Sequence, residues 1–268
     1  MKRRNLLSLI AVIILIAVFS FEYLQEKETQ DVIISEGQTE KENTNTYFLP
    51  TSTTNSVVHH KFYSLSYSEA HEQAEWVAYE LKANQVVSTN HKRPYFQIDK
   101  SVKTEGAHWR NYKNSGYDRG HLCPAGDRKF SKEAHDETFL TSNISPQEHE
   151  FNSGIWNRLE QKVRYWAKRK DGVFVVTGGI LSDELKTIGE EHVAIPEYFY
   201  KIIYDQSSKS PKMLGFLIPH ENSNEALYKF VVPVDQIEEL TGIDFFPQLN
   251  DKIENTLERQ SSYKNWSF

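Results

Sequence analysis

The sequence predicts an α+β domain with a central antiparallel sheet flanked by helices, and three observations lead there. Between about Val57 and Phe268, short apolar runs are bounded by Asn, Gly, Pro and Asp clusters, the punctuation of strands and turns. Few of these runs are separated by a helix-length crossover, which favours antiparallel pairing over βαβ units. One segment repeats its apolar residues at helical spacing, and no internal repeat is visible. With 38% hydrophobic and 13% aromatic residues in a chain of 268, the composition suits one ordinary packed core.

Taken in order, the chain opens with Lys2-Arg3-Arg4 and an almost uninterrupted apolar run from Leu6 to Phe21. As a helix that run reaches about 24 Å, short of the roughly 30 Å hydrocarbon core, so residues 1–24 read as a signal peptide or an N-terminal membrane anchor. Val18-Phe19-Ser20 is a weak cleavage site, which tilts the reading toward an uncleaved anchor. Either way the basic end stays in the cytoplasm. The rest is then exported to the cell envelope, either membrane-anchored or periplasmic or secreted. Residues 25–56 are rich in Glu, Thr, Asn and Gln and read as a polar flexible tether. Residues 57–268 form the domain proper.

Within it, strands are predicted at Glu75–Leu81, Thr138–Thr141, Val173–Thr177, Phe199–Tyr204, Met213–Ile218 and Tyr228–Val234. The clearest helix starts near Asn152, a good N-cap, because Ile155, Leu159, Val163 and Trp166 make one apolar stripe. A second helix begins at Asp235 as N-cap and stops at Gly242, and a third occupies Leu249–Gln260.

The formal net charge of −6 hides a basic region, since Lys82–Lys132 holds eleven Lys or Arg against four acids. A phosphate-rich ligand would prefer that stretch, although linear clustering need not become a surface patch. Cys123 is the single cysteine, so no intramolecular disulfide and no cysteine-rich zinc site can form. It reads as a small packing residue.

Inside the basic stretch lies Tyr117-Asp118-Arg119-Gly120-His121-Leu122-Cys123-Pro124-Ala125-Gly126-Asp127. Two further blocks follow it: Thr141-Ser142-Asn143-Ile144-Ser145-Pro146-Gln147, then Asn152-Ser153-Gly154-Ile155-Trp156-Asn157-Arg158-Leu159-Glu160. Asp-Arg-Gly-His alone is only suggestive, but three blocks in this order resemble the DNA/RNA non-specific endonucleases of the ββα-metal superfamily. The resemblance spans roughly Val57–Phe268, with its specificity concentrated between Arg93 and Arg164. It implies a ββα-metal finger as the active site. By this resemblance His121 matches the general base and Asn152 the single protein ligand of a Mg2+ ion otherwise held by waters, with Mn2+ able to substitute. Glu160 matches a carboxylate that orients metal-bound water, and Arg93, Arg119 and Arg164 match positions that contact or neutralise phosphate. Several exported members carry disulfides and this chain has none.

The chemistry calls for these residue types independently. Hydrolysing a phosphodiester needs a deprotonated water in line with the leaving oxygen, and a histidine of near-neutral pKa can take that proton. Negative charge gathers on the phosphorane and the leaving oxygen, which a hard cation and arginine forks can offset. Which arginine does so is left open. Asn152 and Glu160, eight residues apart, differ on one helix by about 80° and about 12 Å, so a water must lie between them if both serve one ion. Glu160 and Arg164 also have the i, i+4 spacing of a surface ion pair. Asn143 either braces the base or the metal waters, or holds a turn ahead of Pro146. Asp118 and Gly120 are supporting residues, the latter permitting a tight path before the base.

The leading functional expectation is therefore an enzyme making internal cuts in DNA and RNA with little sequence preference and leaving 5′-phosphate ends. An exported nucleic-acid-binding module for DNA uptake or adhesion, with weak or no cleavage, is the alternative from another class, and a hydrolase of small phosphodiesters is a third. The expected partners are DNA and RNA, and the membrane if the N-terminal segment is uncleaved. A second copy of the chain in a homodimer stands as an open alternative.

Overall fold

The computed structural model of the chain describes residues 48–206, 211–264 and 266–268, together with Ser20. The chain divides between Thr44 and Asn45, and everything below concerns the second unit. The N-terminal signal or anchor and most of the tether lie outside the described residues. Among the described residues no helix is long and apolar enough to cross a membrane.

Eleven strands follow in chain order: β1 (Val57–His59), β2 (Ser64–Ser68), β3 (Gln73–Lys82), β4 (Asp118–His121), β5 (Ile144–Gln147), β6 (Gly172–Gly179), β7 (Thr187–Ile188), β8 (Val193–Ala194), β9 (Tyr198–Asp205), β10 (Lys212–Pro219) and β11 (Val231–Val232). Seven of them form one sheet in the order β1-β2-β3-β6-β9-β10-β11, every neighbour antiparallel. The helices are α1 (Lys132–Glu137), α2 (His149–Phe151), α3 (Asn157–Arg169), α4 (Val234–Thr241) and α5 (Asp251–Glu258). The α+β expectation and the antiparallel sheet are both met.

Register explains why the inner strands read as nearly continuous apolar runs rather than alternating ones. Tyr79, Val175, Ile203 and Leu214 stand side by side in one row and pack in one core with Leu159, Val163 and Trp166 of α3. The adjacent positions Ala78, Val176, Ile202 and Gly215 face the other way, where a Cβ at Gly215 would meet Ile237 and Val234 of α4. Both faces are covered, so both sets of side chains are apolar. The stripe on α3 buries Leu159, Val163, Trp166 and Ala167. Gly242 ends α4 with φ 69°, a left-handed conformation that glycine adopts without strain.

Several expectations are corrected. Thr138–Thr141 is no strand: Thr138 closes α1, its Oγ1 donating to His135 O at 2.7 Å, and Leu140 makes only an isolated bridge to Gln97. Tyr228–Val234 is mostly a 3-10 turn at Leu227–Phe230, with only Val231–Val232 paired. Pro233 then serves as N-cap of α4, and a residue without an N–H cannot extend a ladder. That also displaces Asp235, which sits in the first turn of α4. Asn152 is not an N-cap either, because α2 already runs before it and a π-helical segment, Asn152–Trp156, links α2 to α3. The angle expected between Asn152 and Glu160 on one regular helix therefore does not apply, since Gly154 breaks the helix with ψ −106°.

The end of the assigned tether also belongs to the domain. Phe48 is buried against Phe174, Tyr204 and Phe246, and Trp76 Nε1 donates to Thr51 O at 2.8 Å. Phe48 stands in the short apolar run Tyr47-Phe48-Leu49-Pro50, and its burial together with hydrogen bonds linking Leu49, Thr51 and Thr53 to the domain holds a segment whose overall composition reads as solvated.

Candidate active site

The Asp-Arg-Gly-His block is strand β4, and its antiparallel partner β5 carries the second sequence block: Asp118 faces Gln147, Arg119 faces Pro146, Gly120 faces Ser145 and His121 faces Ile144. Gly120 is required by this pairing, because a Cβ there would lie 2.1 Å from Gln147 Oε1 and 2.5 Å from its Cγ. Helices α2 and α3 follow β5 directly, so two strands and a helix form the expected finger. Alternation along β4 sends Arg119 and His121 to one side and Asp118 to the other.

On the first side the His121 ring lies between Phe96 and Phe139, with centroids at 5.5 and 4.9 Å. Its Nε2 is buried and has no hydrogen-bond partner among the described residues. Burial, then the charges of Arg93 and His135, push its pKa down to about 3, so the imidazole is neutral at physiological pH but a weaker base than the near-neutral histidine expected from the sequence. The guanidinium carbons of Arg93 and Arg119 stand 5.6 and 5.1 Å from the centroid of Phe96. Neither arginine has a carboxylate partner among the described residues, which leaves both forks for an anionic ligand. Arg93 is exposed.

On the other side Asp118 Oδ2 accepts from Asn152 Nδ2 at 3.0 Å and bonds to His149 Nδ1 at 2.9 Å. The donor to a carboxylate must be the amide nitrogen, so Asn152 Oδ1 is turned away from Asp118. A neutral hard oxygen of this kind is what Mg2+ accepts as a lone protein ligand among waters, and Asn152 fits that role. The hydrogen bond to Asp118, then its charge, raise the pKa of His149.

Beneath this surface lies a layer of buried charge. Arg164 Nη1 donates to Asp127 Oδ1 at 2.7 Å and stands 3.9 Å from Glu160 Oε2, while Tyr79 OH donates to Asp127 Oδ2 at 2.8 Å. Arg164, expected to contact or neutralise phosphate or else to pair with Glu160, is engaged by the buried carboxylate of Asp127 with Glu160 close by. Lys201, two residues before Ile203 on β9, shares the sheet face beneath α3. Its fully buried Nζ has no hydrogen bond and lies 4.6 Å from the Trp156 ring. Burial raises the pKa of Glu160, with Lys201 opposing the rise, and burial lowers that of Lys201. The carboxylates of Asp127 and Glu160 thus have the cations of Arg164 and Lys201 as neighbours, which offsets part of the cost of burying them.

Asn143 is resolved as a brace. Fully buried, it accepts from Cys123 N at 2.8 Å and donates to Cys123 O at 3.0 Å and Thr138 O at 2.9 Å. All three bonds go to backbone, so it fixes the chain just after the base and holds no metal water. Cys123 is a buried packing residue. Arg128, one of the eleven basic residues of the stretch, is buried over Tyr79 and donates to Glu80 O at 3.1 Å, so the basic surface is smaller than the linear count implies. Phe96, Phe139, Asp127, His135, His149 and Lys201 were missed from sequence. Lys201 alone left a trace there, a lysine inside the apolar run Tyr198–Tyr204.

The family model described as DNA/RNA non-specific endonuclease matches residues 40–252. The zebrafish (Danio rerio) protein named "Nuclease EXOG, mitochondrial" is 36% identical over 209 residues, covering 70% of this chain and 61% of that protein. Human "Endonuclease G, mitochondrial" is 31% identical over 202 residues, covering 70% of this chain and 68% of its own length. A solved structure of the EndoG/EndoGI complex aligns with TM-score 0.68 and 32% identity, over 73% of this chain and 87% of that one. The chain spans about three fifths of the length of the EXOG relatives it matches, 61% of the zebrafish and 57% of the Xenopus laevis protein.

Proposed function

Because the chain belongs to the DNA/RNA non-specific endonuclease family, we propose that it is a metal-dependent endonuclease that hydrolyses internal phosphodiester bonds of DNA and RNA with little sequence preference. The observation that carries this reading is His121, a neutral imidazole set between Phe96 and Phe139, beside two arginines with no carboxylate partner among the described residues. The His121 imidazole takes a proton from water as the water oxygen bonds to phosphorus and the bond to the 3′ oxygen breaks, leaving a 5′-phosphate. Arg93 and Arg119 hold the phosphate oxygens, where guanidinium forks match the charge of the transition state. Asn152 Oδ1 would hold the cation, Mg2+ with Mn2+ able to substitute, and Glu160 would accept from water around it. When bound, the ion supplies the charge that offsets the leaving oxygen. Contacts of this kind grip backbone rather than base edges, so context effects are weak. The exposed Tyr95, at 93% accessibility, offers a ring for stacking on any base.

The test uses purified protein with supercoiled plasmid and with RNA, in Mg2+ or EDTA, beside His121→Ala. Degradation of both polymers that needs Mg2+, and a loss of about 100-fold or more in the variant, is the expected result. Salt-sensitive binding without cleavage in any divalent metal would instead identify a nucleic-acid-binding module. The basic start and the apolar run Leu6–Phe21 support a further proposal, export to the cell envelope. Recovery of the tagged chain only from cytosol would refute it.

A further inference from the structure

Helices α4 and α5 lie against one another on the face of the sheet opposite α3, α4 covering the Gly215 side of β10. Asp235 and Glu238 are three apart on α4, and Glu254 and Glu258 four apart on α5, so each pair occupies one face of its helix. The two faces turn toward a shared hollow lined by Asp235, Glu238, Asp244, Glu254, Asn255 and Glu258, with no lysine, arginine or histidine in its wall. One carboxylate oxygen from each of Asp235, Glu238 and Glu258 lies within 4.8 Å of the other two. Three oxygens on one Ca2+ at about 2.3–2.6 Å lie within about 4.5 Å of one another when evenly spread, so small side-chain shifts bring this cluster to ligand spacing.

A ring of acids on a surface is ordinary, but Glu258 is not on the surface. It is only 5% exposed, and its Oε1 is buried with no hydrogen-bond partner among the described residues, as is Oε1 of Glu254. A buried carboxylate normally has hydrogen bonds or a cation, since its desolvation is otherwise uncompensated. Glu238, by contrast, is held in place, its Oε1 accepting from Phe245 N at 3.0 Å.

We propose that Asp235, Glu238 and Glu258, with Asp244 and Glu254 around them, form a Ca2+ site that clamps α4 to α5, separate from the catalytic ion. Several carboxylates from flexible acidic side chains suit Ca2+, which accepts six to eight oxygens in loose geometry. Mg2+ keeps its waters and is rarely caged by protein alone.

The experiment measures Ca2+ binding to the full chain carrying Asn152→Ala, which removes the ligand assigned to the catalytic ion, by calorimetry and thermal unfolding. The expected result is saturable binding of one Ca2+ per chain and a rise in Tm of about 5–10 °C at a hundredfold excess over Kd. Both effects are expected to vanish in the same background with Glu238→Gln and Glu258→Gln, near-isosteric changes that relieve repulsion. If that double change prevents folding, Glu258→Gln alone should weaken Ca2+ binding at least tenfold. No saturable binding to the parent, or a Tm rise that survives the glutamine substitutions, overturns the proposal.

Discussion

His121 and Glu160 have been moved in opposite directions by burial, the first down to about 3 and the second upward. A base whose proton leaves far below neutrality sets no acid limb in the working range. A carboxylate raised above the ordinary value near 4.3 does, because protonation removes its capacity to accept from water. As pH falls through the raised value of Glu160, kcat/KM should decline, well before His121 titrates. The pH profile of Glu160→Gln should be slower throughout and lack that limb. A limb unchanged by the substitution would assign it elsewhere. Asp118 also acts through another residue, since it fixes which atom of Asn152 is presented. Asp118→Ala is expected to raise the Mg2+ concentration giving half-maximal rate about 10–100-fold while leaving the maximal rate less affected.

At the scale of elements, the finger depends on Asn143. It ties the end of β4 to the turn entering β5 and to the end of α1 through three buried backbone groups. Asn143→Ala leaves all three without partners, at a cost of about 3 kcal/mol or more. Urea titration should show that loss, and circular dichroism should show whether the sheet survives. The sequence reading left this residue between two roles because a side chain bonding only to backbone resembles a turn former and a site residue alike. The long helix illustrates a similar limit. Its apolar stripe was legible, but the π-helical segment that delivers Asn152 to Asp118 has no periodicity signal, since Ile155 and Trp156 remain apolar across it.

For the whole molecule, the domain starts earlier than composition shows. Phe48→Ala should destabilise by about 3–5 kcal/mol, as for other buried aromatic truncations, and a change under about 1 kcal/mol in urea unfolding would mean the segment rests on the domain without supporting it. Read from sequence alone, the order of blocks determined the family and nominated His121 and Asn152 for the chemistry, while short apolar runs without helix-length crossovers determined the antiparallel α+β class, because catalytic chemistry restricts residue identity locally and strand alternation is a local property. Four of the six predicted strands and the three helices were legible for the same reason. Only the tertiary structure decided that Arg164 belongs to Asp127, that Lys201 is buried beneath α3, that Arg128 is buried, and that five carboxylates from two helices and the loop between them share one hollow. Those relations join residues far apart in the chain, and burial, which sets their charge and partners, is a property of packing that no local pattern contains.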